Sequence, residues 1–157
     1  MASKELKAAC IDLMNSTDVA YLTTIDTDGY PNTRAMVNLR DRNHYPEKAH
    51  LYAEHDEDLL VYFSTNTSSR KRLQLEANAK ASVYFRCPGE FFGFALIGDV
   101  EVVDDMETRK AVWAEDFAQY YRTTGAPDDP DFTLLRILPI EVRGWNRGEH
   151  FCFEIPA

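Results

Sequence analysis

Cysteine is scarce in this sequence, and the few that occur are widely separated. The chain of 157 residues contains three, Cys10, Cys87 and Cys152, and no two of them form a CxxC pair. An odd, dispersed set argues against a small fold held together by disulfides and is typical of reduced thiols in a reducing compartment. We therefore expect a cytoplasmic protein.

Long apolar runs and positive charge are lacking as well. No uninterrupted apolar run reaches the roughly 18 residues that a membrane helix requires, and charges interrupt residues 1–14, where a signal peptide would have its apolar segment. Lys and Arg total 17 against 26 Asp and Glu, so the net charge is −9. Because nucleic acids and anionic membranes attract basic surfaces, the sequence disfavours both as partners.

Glycine and proline are also few, at seven residues each. The chain has 45 % hydrophobic and 27 % charged residues, which is the composition of a globular domain and not of a disordered chain or a fibre. A chain of this length buries enough surface to fold without disulfides. Since it contains no internal repeat and no linker-like tract, we predict that residues 1–157 form one domain.

Short runs rich in β-branched and aromatic residues alternate with turn signals along the chain. Consecutive short strands of this kind favour an antiparallel barrel over a parallel sheet. We therefore predict an α+β, mainly β fold with about six or seven strands and three short flanking helices. The predicted strands are 19–25, 30–40, 59–63, 81–85, 91–103, 132–142 and 150–155.

The spacing of apolar residues and the helix formers predict where the three helices lie. The first covers 6–14, the second covers 70–77, and the third follows the acidic pair at 104–105. Residues 41–58 are polar and are predicted to form a long loop with one short strand around Leu51. The apolar stripe of the third helix is predicted to comprise Met106, Trp113, Phe117, Tyr120 and Tyr121.

The most informative segment is 59–77, where a buried strand leads into six consecutive hydroxyl or amide residues and then into a helix. That helix opens with three cations, Arg70, Lys71 and Arg72. Helix N-terminal N–H groups, hydroxyls and neighbouring cations together favour the binding of a phosphate. The alternative is a surface helix, capped by Ser68 or Ser69, whose cations are only solvated.

Arg34 stands in a second informative segment, the strand that follows the turn at Gly29. The strand is half apolar, so one of its faces is expected to be buried. An arginine that points inward there needs a partner, because an unpaired buried charge is very costly. A phosphate would serve, and so would a carboxylate.

Together, the two segments resemble a known family. Gly29-x-Pro31-x-x-Arg34 lies in a hairpin, and Ser69-Arg70-Lys71 opens a helix after the next strand. This order resembles the FMN-binding split β-barrel proteins related to pyridoxamine 5′-phosphate oxidase, and most closely the small branch that includes general-stress-protein flavoproteins. The resemblance covers about residues 5–145. It implies a split β-barrel that forms a homodimer and binds FMN non-covalently at the subunit interface.

The resemblance also implies which residues contact the phosphate end of FMN. Arg70 and Lys71 would grip the phosphate, and Arg34 would reach it from the neighbouring strand. Ser64 and Thr65, at the end of the preceding strand, would contact the phosphate or the ribityl chain.

Met36, Val37 and Asn38 are implied to run alongside the isoalloxazine ring, with their backbone groups facing its polar edge. The position at which pyridoxamine phosphate oxidases carry a substrate-contacting lysine is Leu39 in this sequence. Their C-terminal substrate motif is also not visible in residues 145–157. Pyridoxamine 5′-phosphate oxidation itself is therefore not expected.

The function implied by the resemblance is an FMN-dependent oxidoreductase. It would transfer electrons between NAD(P)H or a small substrate and an acceptor, and no side chain stands out as a catalytic acid or base. Three alternatives stay open: a flavin-binding stress protein without turnover, the same fold holding the deazaflavin F420 or haem, and a structural module with no cofactor.

Histidine and tryptophan give weaker signals. His44, His50 and His55 are irregularly spaced and match no metal-ligand motif, so no metal site is predicted. His150 stands near a strand start and is predicted to be structural. In the wider family an aromatic residue of the partner subunit can approach the flavin, and Trp145 is a candidate for that role, with plain packing as the alternative.

Overall fold

The β-rich segments form one antiparallel sheet of seven strands. The computed structural model describes residues 3–157. The predicted α+β, mainly β class is confirmed, as is the number of strands. The strands are β1 Val19–Ile25, β2 Pro31–Val37, β3 Val61–Asn66, β4 Lys80–Arg86, β5 Phe92–Val102, β6 Phe132–Asn146 and β7 Glu149–Glu154.

The sheet is curled but not closed. Its strand order is β2-β1-β4-β5-β6-β3, with β7 pairing to β6 off this path. β6 is 15 residues long, and it pairs with β3 near its start and with β7 near its end. β2 and β3 are therefore the two ends of the path, and they approach each other without forming a ladder. This gap makes the barrel a split one.

Three α-helices flank the sheet, and the first two match their predictions. Ser3 caps the first helix by accepting the Leu6 N–H at 3.1 Å. Asp105 caps the third by accepting the Thr108 N–H at 2.8 Å. Within residues 3–157 no helix is long and apolar enough to cross a membrane. The helices are α1 Lys4–Met14, α2 Arg70–Ala77 and α3 Met106–Val112.

The predicted strand around Leu51 is wrong. That residue lies in a first 3-10 helix, Pro46–Tyr52. Proline suits the first position of a helical turn because its φ is already fixed there and it has no N–H to satisfy. Tyr52 then packs against Tyr62 of β3 with ring centroids 6.1 Å apart, so side-chain contact joins this segment to the sheet.

The predicted apolar stripe of the third helix is also wrong, because α3 ends at Val112. Trp113 adopts an extended ψ of 131°, and its ring meets that of Phe132 edge to face at 5.1 Å. The chain then forms a second 3-10 helix, Glu115–Gln119. The five stripe residues consequently share no single face. Phe117 and Tyr121 are buried, whereas Met106 and Tyr120 are exposed.

Several strand ends differ from those predicted. β2 stops at Val37 and does not continue to residue 40. β3 begins at Val61 because Leu59 has a positive φ of 54°, which no strand residue adopts. β6 continues to Asn146, and the final turn is made at 147–148, where both residues have positive φ.

The apolar core is divided into two clusters because β3 and β6 bury both of their faces. Successive side chains on a strand point to opposite sides. Phe63 and Leu135 thus enter the interior of the curled sheet, whereas Tyr62 and Leu134 enter a second cluster outside it. α3 and both 3-10 helices contribute buried residues to this second cluster.

Arg40 anchors the segment that joins β2 to β3. Only 2 % of its surface is exposed. Its guanidinium donates to the carbonyls of Leu60 and His55, each at 2.9 Å, and lies over the ring of Tyr52 at 4.7 Å from the centroid. Burial lowers the pKa of Arg40. These contacts hold the first 3-10 helix in place.

Replacing Arg40 by Met is expected to lower the free energy of unfolding by about 2–3 kcal/mol, because two charge-assisted hydrogen bonds are lost and their carbonyls stay buried. Arg42→Met removes an exposed guanidinium two residues away and is expected to change stability by less than about 0.5 kcal/mol. Urea unfolding followed by tryptophan fluorescence measures both. Equal losses in the two variants would contradict the anchoring role.

Candidate functional site

A cleft of about 230 Å³ opens where β2 and β3 approach without pairing. The start of α2 and the second 3-10 helix complete its walls. No carboxylate is among the described residues that line it. These residues are Ala35, Met36, Val37, Tyr45, Ser64, Thr65, Asn66, Lys71, Phe117, Tyr120 and Tyr121.

Two of the larger hollows on the surface lack this concentration of cations and hydroxyls. One, of about 490 Å³, is lined mainly by aromatic residues around Trp145. The other, of about 690 Å³, lies beside His44 and the second 3-10 helix. The cleft between β2 and β3 is therefore the candidate site, although it is the smallest of the three.

Lys71 is the second residue of α2 and extends into the cleft, half-buried. Its ammonium forms no ion pair and no hydrogen bond with the described residues. Burial lowers the pKa of Lys71, and the positive charge of Arg34 lowers it further. The positive charge of Arg34 is thus near enough to act on Lys71, although Arg34 is not among the residues that line the cleft.

Arg34 does point inward from β2, but its partners are neutral. Its guanidinium donates to the Thr24 hydroxyl at 2.7 Å and to the Gln74 side-chain oxygen at 3.0 Å. It also donates to the backbone carbonyls of Leu22 and Asn32. Burial lowers the pKa of Arg34. A carboxylate was one of the two partners predicted for Arg34, but no carboxylate among the described residues pairs with it. The charge of its guanidinium therefore stays uncompensated.

Hydroxyl groups stand beside these cations at the end of β3. Ser64 and Thr65 both line the cleft. The Thr65 hydroxyl lies 3.1 Å from that of Ser69, the N-cap residue of α2. Ser69 therefore occupies the predicted cap position, but its hydroxyl contacts Thr65 and no backbone N–H of the helix.

Arg70 is directed away from the cleft. Its side chain is 75 % exposed and forms an ion pair with Asp26 in the turn between β1 and β2. The Thr27 backbone N–H lowers the pKa of Asp26, and Arg70 contributes to the same shift. Of the two cations that the sequence places at the phosphate, the structure brings Lys71 into the cleft and leaves Arg70 outside it.

The three residues predicted beside the ring, Met36, Val37 and Asn38, separate in the same way. Met36 and Val37 line the cleft, on the edge of β2 that faces away from β1. Asn38 is fully buried outside the cleft. Its side-chain amide donates to the carbonyls of Met14 and Thr17, each at 2.7 Å, which joins α1 to the end of β2.

The aromatic side of the cleft was not among the residues predicted for the site. It is formed by Tyr45, Phe117 and Tyr121, all buried, with the exposed Tyr120 at the mouth. Burial raises the pKa of Tyr121, and the nearby Ser64 hydroxyl opposes that shift. The aromatic residues at 117–121 were a visible signal, but assigning them to one long helix hid their approach to β3.

The geometry suits a flat molecule that carries an anion. The Lys71 ammonium and the Ser64 and Thr65 hydroxyls line it together with aromatic rings and an unpaired strand edge. This combination is consistent with the chain's relatives. A sequence model of the family described as pyridoxamine 5′-phosphate oxidase matches residues 6–146. The chain belongs to this family.

One curated relative and several solved structures cover nearly the whole chain. General stress protein 26 of Bacillus subtilis is 22 % identical over 152 residues, which is 95 % of this chain and 94 % of that protein. A Clostridium acetobutylicum structure described as related to general stress protein 26 is 25 % identical, with a TM-score of 0.79, covering 98 % of this chain and 97 % of its own.

Two further structures establish the fold alone, since their identity is lower. General stress protein 26 of Bacillus anthracis is 17 % identical with a TM-score of 0.69, covering 95 % of this chain and 99 % of its own. A Nostoc punctiforme protein described as pyridoxamine 5′-phosphate oxidase-related and FMN-binding is 18 % identical, with a TM-score of 0.62. It covers 100 % of this chain and 98 % of its own.

Replacing Lys71 by Met is expected to stabilise the ligand-free protein by about 0.5–1 kcal/mol, because it removes a half-buried ammonium that faces another cation. Lys80→Met is the matched control, since the Lys80 ammonium is largely exposed and lies 4.0 Å from Asp99. Thermal unfolding of phosphate-free, flavin-free protein measures both. Destabilisation by Lys71→Met alone would show that the ammonium has a structural partner.

Proposed function

We propose that this protein is a flavoprotein that binds FMN non-covalently in the cleft between β2 and β3. The observation that carries this proposal is that Lys71 extends, without a partner among the described residues, into a cleft lined by no carboxylate of theirs, with the positive charge of Arg34 near enough to lower its pKa. A phosphate dianion bound beside Lys71 would offset the repulsion between the two cations and supply the charge-assisted hydrogen bonds that Lys71 lacks. Ser64 and Thr65 add hydroxyl donors at the same end.

The rest of the cleft suits the flavin ring. Tyr45, Phe117 and Tyr121 offer aromatic surface, which favours a planar ring system through offset or edge contacts. The edge of β2 opposite β1 offers backbone N–H and C=O groups, and a flavin ring carries complementary acceptors and donors on its polar rim. The description of the Nostoc relative as FMN-binding supports the same assignment.

We further propose a homodimer in which a second copy covers the outer face of the sheet. Tyr21 of β1 stands opposite Tyr84 of β4 on that face, and Val37 of β2 is exposed beside them. Tyr84 also borders the aromatic hollow that contains Trp145 and Phe91, which are 51 % and 86 % exposed. Apolar patches of this kind mark protein interfaces. The patch reaches the cleft at Val37, so a partner seated on it would complete the site.

The proposed activity is two-electron transfer between NAD(P)H or a small reduced substrate and an acceptor. The flavin supplies the redox chemistry when it is bound. The chain supplies the charge that holds the phosphate, the hydrophobic surface that orients the ring and the exclusion of water from its buried face. Apart from Lys71, tyrosines are the only titratable side chains in the described lining of the cleft.

A comparison of FMN with riboflavin tests the binding proposal, because only FMN carries the phosphate. Lys71→Ala is expected to weaken FMN binding by about tenfold or more, the effect of losing a charge-assisted hydrogen bond, and to leave riboflavin binding within about twofold. Titration calorimetry measures both ligands, with Lys80→Ala as the control. Equal losses for FMN and riboflavin would place the ammonium away from the phosphate.

Arg70, which the family resemblance also places at the phosphate, gives a prediction of the same kind, but its ion pair with Asp26 makes the expected effect smaller. Arg70→Ala is expected to weaken FMN more than riboflavin, and by less than Lys71→Ala does, because a phosphate must compete with Asp26 for the guanidinium. An unchanged FMN affinity would leave Arg70 as a surface residue paired only with Asp26.

Anaerobic addition of NADH or NADPH tests the redox activity. The flavin bands of the loaded protein are expected to bleach with one of these donors and to return on exposure to air. Failure of both donors and of small reductants would favour a flavin-binding role without turnover. The absorption spectrum of freshly purified protein distinguishes FMN from F420 and haem, since FMN gives two bands, a deazaflavin gives a single band and haem gives a Soret peak.

A further inference from the structure

The buried part of the aromatic side of the cleft comes from two segments that are distant in sequence. We call it the aromatic wall and define it as Tyr45, Phe117 and Tyr121. Tyr45 precedes the first 3-10 helix, whereas Phe117 belongs to the second and Tyr121 follows it. Neither 3-10 helix is paired with a strand, so side-chain contacts decide how the two segments sit relative to each other.

One side-chain hydrogen bond joins the two segments at the cleft. The Tyr45 hydroxyl donates to Asp116 Oδ2 at 2.8 Å. The Tyr45 phenol is buried, whereas Asp116 is exposed on the second 3-10 helix. Burial raises the pKa of Tyr45, and Asp116 raises it further, so the phenol keeps its proton and stays a donor.

A second side-chain contact between the two segments lies further from the cleft. The Lys48 ammonium donates to the carbonyls of Ala111 and Trp113, at 3.0 and 2.5 Å, at the end of α3. It fixes where α3 ends but does not touch the second 3-10 helix. The Tyr45–Asp116 bond is therefore the polar contact that ties the two segments of the aromatic wall to each other, while Tyr121 also lies beside the Ser64 hydroxyl of β3.

Tyr45 is also the partition between two hollows. It lines the cleft of about 230 Å³ on one side and the hollow of about 690 Å³ on the other. Asp116 lines the larger hollow only. If the hydrogen bond breaks and Tyr45 turns outward, the cleft becomes continuous with this open hollow.

We propose that Tyr45 and Asp116 are positioning residues whose hydrogen bond keeps the aromatic wall closed over the ring of a bound flavin, and so sets how fast the flavin leaves. This inference rests on the proposed function, since it concerns the same cleft. The bond acts on the ring and not on the phosphate. Its loss raises the fraction of time that the wall is open, and dissociation accelerates by the same factor.

The test is the dissociation rate of flavin, followed as the rise in free-flavin fluorescence after dilution. Tyr45→Phe removes the hydroxyl and keeps the ring, and we expect dissociation to become about three- to tenfold faster, in line with the loss of a hydrogen bond to a carboxylate. Asp116→Ala is expected to have the same effect. Asp116→Asn keeps an acceptor oxygen and is expected to restore a rate near that of the unmodified protein.

Three further measurements separate positioning from a structural role. FMN and riboflavin should leave faster by the same factor in Tyr45→Phe, unlike in Lys71→Ala, where only FMN is affected. The double variant Tyr45→Phe/Asp116→Ala should be no faster than either single variant, because both remove one bond. Tyr30→Phe, which alters an exposed phenol in the β1–β2 turn, should leave the rate unchanged.

The results of these dissociation measurements distinguish a failure of the positioning role from a failure of the proposed FMN binding. Unchanged flavin dissociation in Tyr45→Phe, with or without a loss of thermal stability in the flavin-free protein, would overturn the positioning role and leave FMN binding intact. A change for FMN but not for riboflavin would also overturn it, because the wall would then act on the phosphate end. An unmodified protein that binds neither flavin would overturn both proposals.

Discussion

The charge of Lys71, unpaired within the described residues and with the positive charge of Arg34 nearby, is the constraint on which the rest of the site depends. Each cation is delivered by a different element, one by the first turn of α2 and the other by the inward face of β2. Neutral groups, the Thr24 hydroxyl and the Gln74 amide, hold the guanidinium in place without cancelling its charge. A carboxylate in place of either cation would pair with the other cation and stabilise the fold more. The fold instead keeps an uncompensated charge where an anion can enter, which is the usual relation between stability and function at a binding site.

The gap in the sheet is what gives an anion access to those charges. β2 and β3 are the two ends of the strand order, so neither uses the edge that faces the other. A closed barrel would join these edges by a ladder and leave no room for a ligand. The unpaired edges of β2 and β3 are protected from edge-to-edge aggregation because Lys71 and the 3-10 helices stand around them. The same feature that leaves the barrel split therefore creates the site.

Local patterns predicted the parts of this structure that depend on neighbouring residues alone. β1 and α2 have the predicted limits, since alternation, turn residues and helix formers all act over a few positions. The course of 41–58 was not predictable in the same way. Its 3-10 helix is held by Arg40 and Tyr52, whose partners lie elsewhere in the chain. The third helix was predicted too long because the apolar spacing continues through Trp113. In the structure the Trp113 ring turns aside and packs against Phe132.

The difference between Arg70 and Lys71 shows why a motif identifies a site more readily than it assigns roles within it. Adjacent residues on a helix point about 100° apart, so only one of two neighbouring cations can face the cleft squarely. Lys71 does so, and Arg70 reaches Asp26 of a turn 44 residues earlier in the chain. That partner is not apparent from the motif. The ion pair also limits what Arg70 can contribute, because an exposed guanidinium already balanced by a carboxylate attracts an anion only weakly. With a net charge of −9 over the whole chain, the attraction for a phosphate must come from short range, and Lys71 and Arg34 provide it.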